Sequence, residues 1–329
     1  MAQDDTVAIL GGGGFIGRQL TRTLCGKVKE IRVVSRKASG VEEAGVRYLA
    51  GDVSDAARMD EVIRGAAAVY HLTLEEDWLE GVKNVAEACV RHRVRRLIFA
   101  STSDALFLGR RGTIYETDGI DPRPDLRNGY SAGKAAAEKL LLRYEVKHGL
   151  GVVIMRPCLV MGRGGTLAHG GIGRWSSPTT LVGWGNGRNK MPFVLVEDVA
   201  DAMALALDAP GIEGKAFNLG GDVFLSAREY VQIAAERTRR NIRFVPSNLR
   251  SKALQILFKA FLKRLLTGRK SDYSHYHDLV SLAMTTRIDN SQSKRLLGWK
   301  PNASLEVFIR EAINPHVEEF RPGDHRLTG

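Results

Sequence analysis

Tyr130 and Lys134 stand four residues apart in YSAGK (130–134), at the head of the helix-forming run AAAEKLLLRY. That spacing puts both side chains on one face of a helix. A phenol with a pKa near ~10 is a poor base at neutral pH, but an ammonium beside it stabilises the phenolate and lowers that value. Such a pair can exchange a proton with a substrate hydroxyl or carbonyl. Upstream, STS (101–103) follows the strand-like run RLIFA, and a hydroxyl from Thr102 or Ser103 there can hydrogen-bond the same substrate oxygen. Alone, Y-x-x-x-K is common on solvated helix faces; it gains meaning from what precedes it.

What precedes it is VAILGGGGFIG (7–17), four consecutive glycines between a strand ending at Leu10 and a helix opening near Phe15. Counted from Gly12 the stretch is G-x-G-x-x-G; counted from Gly11 it is G-x-x-G-x-x-G. In either register the strand–glycine–helix context lets a backbone turn approach a pyrophosphate, whose charge faces the helix N-terminus, so a dinucleotide is expected. The second strand ends VVSRK. Where a carboxylate would bind a ribose 2′-hydroxyl, Ser35, Arg36 and Lys37 stand instead, and two cations beside a hydroxyl favour a 2′-phosphate, hence NADP over NAD. Asp52, in GDV (51–53), is placed either to accept from an adenine amino group or to close a turn.

The elements that must position these groups are legible as an alternation. Short apolar runs at 6–10, 30–35, 46–50, 68–72, 96–100 and 151–156 are separated by helix-length segments, and Ile16, Leu20 and Leu24 give the first helix an apolar stripe. Near-continuous apolar strands between helices predict an α/β fold with a doubly wound parallel (Rossmann) sheet. A smaller, discontinuous C-terminal substrate domain is expected to complete it: residues 1–156 plus about 195–225 form the dinucleotide-binding domain, 157–194 plus about 226–312 the substrate domain, and 313–329 a tail. VEDVADAMALALDA (196–209) reads as helix, AFNLGG (216–221) as strand, and Ser226 with Glu229 as a capping box.

The 329 residues are 44% hydrophobic and 26% charged, as in ordinary globular proteins. The acidic MAQDDT start and the absence of a ~20-residue apolar run lead to the expectation of a cytoplasmic chain without address or membrane span. Cys25, Cys89 and Cys158 lack metal-ligand spacing, and no metal is expected. The formal charge of +11 favours anionic partners without choosing among them.

The motifs together resemble the extended short-chain dehydrogenase/reductases, the nucleotide-sugar epimerases, dehydratases and reductases. GGGGFIG, GDV, VYHLT, FASTS, the stretch YETDGIDPRPDLRNGYSAGKAAAEKL, MRP, FVLVEDVADAM, FNLGG and KRLLGWKP all fit, covering roughly residues 6–301. The resemblance implies Tyr130 as general acid/base, Lys134 as the group that lowers its pKa and binds the nicotinamide ribose, and Thr102 as the hydroxyl partner, with Ser103 the neighbour one register away. It implies Gly11, Gly14 and Gly17 as the loop positions, Gly12 and Gly13 as filler, and Phe15, Ile16, Val53, Leu72 and Pro157 as further coenzyme contacts. Where sugar dehydratases of the family carry Asp then Glu after the catalytic Thr, this chain has Ser103 and Asp104, which argues against a full dehydratase apparatus.

The leading expectation is therefore an NAD(P)-dependent oxidoreductase acting on a nucleotide-sugar as epimerase or keto-reductase. A hydroxysteroid or other apolar alcohol is the second substrate class, and a non-catalytic NADPH-binding scaffold the reading of another kind. No nucleic-acid partner is expected: RHRVRR (91–96) reads as cations at a helix C-terminus. His275 and His277 read as loop residues, and the glycine-rich 162–190, with Arg163, Arg174, Trp175 and Arg188, as a long loop suited to cover a substrate. In SKALQILFKAFLKRLLTGRK (251–270), Lys252, Gln255, Lys259 and Lys263 form a narrow polar stripe on a broadly apolar helix. Packing in the second domain is its first reading, and peripheral membrane contact through 251–266 the alternative. A homodimer stays open.

Overall fold

A computed structural model describes residues 5–38, 40, 43–73, 78–267 and 275–317. The first half alternates β1 (Thr6–Leu10), α1 (Phe15–Leu24), β2 (Glu30–Ser35), β3 (Val46–Ala50), α2 (Ala56–Ile63), β4 (Ala68–His71), α3 (Trp78–Arg91), β5 (Arg96–Ala100), β6 (Thr113–Ile114), α4 (Gly129–His148) and β7 (Val152–Pro157). There follow β8 (Leu159–Met161), β9 (Gly173–Ser177), β10 (Thr180–Gly183), β11 (Lys190–Leu195), α5 (Val196–Leu205), β12 (Ala216–Leu219), β13 (Phe224–Ser226), α6 (Ala227–Thr238) and β14 (Arg243–Val245). The chain continues through α7 (Leu249–Thr267), α8 (Tyr276–Leu282), β15 (Arg287–Ile288), α9 (Ser291–Leu297) and α10 (Leu305–Phe308).

Seven strands form one parallel sheet in the order β12-β7-β5-β4-β1-β2-β3, a Rossmann-type α/β fold. Strand alternation divides its core. Val7 and Ile9 face α1 and α5, while Ala8 and Leu10 face α2, α3 and α4. The strand order reverses between β1 and β4, which opens a crevice at their carboxyl ends where such sheets take ligands. Three smaller sheets, β14-β10-β9, β13-β11-β8 and β15-β6, enclose a separate apolar core that includes Leu159, Met191, Phe193 and Tyr230.

Three expectations need correction. The 162–190 stretch is not one loop, since β9 and β10 pair antiparallel within it. Its glycines mislead because some serve packing: a Cβ on Gly183 or Gly187 would sit 2.2 or 2.1 Å from the Phe244 ring. His277 lies buried in helix α8 rather than in a loop, and His275 caps that helix. The tail does not begin at 313, because Ile313 and His316 are buried and His316 Nε2 lies 3.2 Å from the Gly162 carbonyl. The capping box at Ser226 and Glu229 forms as read.

Candidate active site

At the end of β1 the chain turns through Gly11 with φ +83°, a conformation that costs glycine little. Gly11 N–H donates to the Val34 carbonyl, and a Cβ here would come within 3.1 Å of the Leu72 and Thr73 backbone. Gly14 is the N-cap of α1. Gly17 lets the helix close on the loop, since its Cβ would lie 2.5 Å from Gly12 Cα. Gly12, expected as filler, is equally constrained: a Cβ would meet Val33 Cγ1 at 2.6 Å. Gly13 has ordinary room. A bare backbone cradle at a helix N-terminus, at the sheet's switch point, fits a dinucleotide pyrophosphate.

Around the cradle stand the other expected residues. Phe15 and Ile16 open α1 half-buried, and Leu72 lies half-buried against Gly11. Val53 is buried, and Pro157 ends β7, paired with Leu219. Ser35 Oγ donates to the Lys37 carbonyl at 2.6 Å, forming a tight turn that leaves Arg36 and Lys37 exposed. Asp52 accepts from Ser54 N and Oγ at 3.0 and 2.8 Å, bonds that hold its carboxyl below the ordinary range, with the Arg36 charge assisting. Its turn role is thus visible. Sequence reading missed Arg18, whose Nη1 donates to the Gly13 carbonyl at 2.7 Å and braces the loop from the first turn of α1.

The residues expected to handle the proton lie on α4 and the segment after β5. Asn128 caps α4 through a bond from Ser131 N, which sets Tyr130 and Lys134 on its first turns. Thr102 Oγ1 accepts from Asp104 N at 3.1 Å, and the Thr102 side chain favours the ionised Tyr130 phenol. Ser103 turns to the Cys158 thiol, so the two register alternatives face different partners. Burial pushes that thiol up to about 12, with the Asp104 charge adding to the effect. The phenol of Tyr130 is raised as well, first by loss of water around its oxygen, although the residue as a whole is 38% exposed, and then by the Asp104 charge, with Thr102 opposing. This corrects the expected lowering. Lys134, buried, donates to the Ala100 carbonyl at 2.7 Å and the Thr73 carbonyl at 3.3 Å, and stands 4.7 Å from the Phe99 ring centre.

Two buried networks hold this arrangement and escaped the sequence reading. Glu138, one helical turn past Lys134, pairs with Arg156 at 2.7 Å and accepts from the Ser101 hydroxyl. α4 is thereby tied to β5 and β7. Arg127, beside the cap, pairs with Asp121 and Asp278, each at 3.0 Å. Asp278 also accepts from Asn128 Nδ2 at 3.0 Å, and His277 lies 2.8 Å from Asp121 and stacks on Phe107. Burial works to raise the Asp121 carboxyl, but the Arg123 N–H, Arg127 and His277 outweigh it and leave it lowered. Asp104 is pushed up by burial, with Arg127 opposing. No group of metal-ligating side chains occurs among the described residues.

The remaining candidates are scattered. Arg163, Arg174 and Arg188 are exposed, while Trp175 packs on the core of the smaller sheets. Of the cations in 91–96, Arg91 and His92 meet Asp60, whose carboxyl falls to about 2, Arg95 meets Asp5, Arg96 pairs with Glu213, and Arg93 is exposed.

Residues 7–220 match the NAD dependent epimerase/dehydratase family. The chain belongs to that family. It is an enzyme of the NAD-dependent oxidoreductase kind that the family comprises. It is similar to a 3beta-hydroxysteroid-dehydrogenase/decarboxylase of Arabidopsis thaliana, 27% identical over 67% of this chain and 42% of the relative, less than half of that protein's length. A 2-alkyl-3-oxoalkanoate reductase of Stenotrophomonas maltophilia is 28% identical over 72% of this chain and 78% of its own. The dTDP-glucose 4,6-dehydratase DesIV of Streptomyces venezuelae, solved with NAD bound, shares the fold with a TM-score of 0.72 at 22% identity, over 95% of this chain and 97% of that one.

Proposed function

We propose that this family member is an NADP-preferring oxidoreductase that interconverts a secondary alcohol and a ketone on an apolar skeleton, with Tyr130 as the proton-exchanging group. The observation that carries the reading is that α4 presents Tyr130 and the buried Lys134 against the segment after β5, from which Thr102 acts on the Tyr130 phenol. In the oxidising direction the Tyr130 oxygen takes the carbinol proton as the carbonyl forms. Thr102 orients the same oxygen, and Lys134 supplies fixed positive charge next to the site. The nicotinamide, when bound, accepts or returns the hydride. Gly11, Gly12, Gly14 and Gly17 would cradle its pyrophosphate and Lys134 its ribose.

The substrate class follows from chemistry shared by the relatives' names. A hydroxysteroid dehydrogenase that is also a decarboxylase and a reductase of 3-oxoalkanoates both act at a carbinol or ketone carbon on a largely hydrocarbon frame. The first name couples the oxidation with loss of a carboxyl group, and the second names a 3-oxo acid, whose carboxylate stands two carbons from the ketone. We therefore favour an apolar 3-hydroxy or 3-oxo acid, sterol-like or fatty, over a nucleotide-sugar. A cytoplasmic setting suits the three free cysteines and a nucleotide coenzyme. Coenzyme turnover with sterol 4-carboxylates, 2-alkyl-3-oxo acids and UDP-, GDP- and dTDP-sugars tests this. Activity on the first two groups is expected; activity confined to sugar nucleotides overturns it.

The NADP preference rests on Arg36 and Lys37, exposed beyond a turn that carries no carboxylate. Arg36→Asp is expected to weaken NADPH binding by about tenfold to a hundredfold, the value of one charge-assisted contact, while sparing NADH. Fluorescence titration with both coenzymes reads this directly, and equal losses for both would remove the argument.

A further inference from the structure

Helix α7 carries an apolar face that points away from the protein. Leu254, Leu257, Phe258, Phe261, Leu265 and Leu266 are exposed, the last to 81%, with Leu262 between them. At ~100° per residue these seven span about half the circumference. Ala253, Ile256 and Ala260, the less exposed positions, occupy the other side and face α8 and the body. Lys259 and Lys263 border one edge of the apolar face and Arg264 the other. The expected packing of this helix into the second domain is therefore only half realised, through its narrow side.

The charge of the molecule is concentrated on the same segment. Between Glu236 and Asp272 there is no acidic residue and there are eleven Lys or Arg, nine of them in described positions. Setting those eleven aside from the chain's 48 leaves 37, equal to its 37 acidic residues. The whole excess of +11 thus belongs to residues 237–271.

We infer that α7 docks the protein on an anionic lipid surface, lying in the plane of the membrane with Phe258, Phe261 and Leu265 below the headgroups and Lys259, Lys263 and Arg264 among them. The apolar half, the flanking cations and the missing acids together match an interfacial helix. The helix cannot cross a membrane: no helix among the described residues is long and apolar enough to do so. A second copy of the chain fits less well, since it would bring a like-charged segment onto this one. The inference stands on this surface alone, whatever the substrate.

Flotation of the full-length protein with phosphatidylcholine vesicles, with and without about a third phosphatidylglycerol, tests it. Wild type is expected to float at least about tenfold more with the anionic vesicles and to be released by salt. The charge variant K259Q/K263Q/R264Q is expected to lose that preference, and F258S/F261S/L265S to lose binding to both, each with unchanged coenzyme affinity and melting temperature. Absence of wild-type flotation overturns the proposal. So does a wild-type dimer that F258S/F261S/L265S makes monomeric without changing flotation, which would give the face to a second copy.

Discussion

Tyr130→Phe is expected to lower kcat by about 100- to 10,000-fold, the range of a positioned acid/base, while coenzyme affinity stays where it was. The split matters because the phenol oxygen is the only atom removed, and the glycine cradle does not touch it. The pH profile adds a second reading of the same group. Burial and the Asp104 charge hold the phenol above its ordinary value, so alcohol oxidation should climb towards alkaline pH as the phenol ionises. Asp104→Asn removes a negative charge that opposes the phenolate. Its alkaline limb should therefore move to lower pH. A limb that stays or moves upward, or a Tyr130→Phe enzyme with wild-type kcat, would remove the phenol from the reaction.

The largest stability effect is expected at Arg156. Arg156→Met leaves the Glu138 carboxylate buried among β5, α4 and β7 with its guanidinium partner gone, and breaking such a pair from one side costs about 3–5 kcal/mol. Denaturant midpoints at unchanged slope would report it. The double variant E138Q/R156M should recover much of the loss, because no uncompensated charge remains. If the single and double variants lose equally, the ion pair itself is not what Arg156 contributes. Both changes should also lower kcat, since Ser101 and Glu138 tie the helix of Tyr130 to the strand that leads into Thr102.

How much of this was legible depended on sequence distance. The strands β1 to β5 and β7 were readable because each is a short apolar run bounded by its own turns. The glycine loop and the Tyr130–Lys134 spacing are likewise local facts. Gly12 reads as filler because its constraint comes from Val33, on the neighbouring strand. The glycines of 162–190 read as a loop because packing against Phe244 leaves no periodic trace. Glu138 and Arg156 sit in plain view inside YSAGKAAAEKL and MRP, yet nothing local says that they meet. The direction of the Tyr130 shift was likewise hidden, because burial is a property of the assembled site and a helical spacing shows only a neighbour. For α7 the apolar pattern is legible, but which half of the helix the body covers is not in it.

The cap of α4 has a consequence in time. Asn128 and Asp278 are 150 residues apart, and contacts of such long range form only after the loop between them has closed. A nascent chain that has already emerged past the glycine loop, STS and YSAGK holds every motif of the reaction, but lacks the residue that secures the start of the helix bearing Tyr130. The glycine cradle lies wholly within the first twenty residues, although α1 behind it packs against α5 and so also gains from a later element. Synthesis should thus complete the cap of α4 last, when the C-terminal helices arrive.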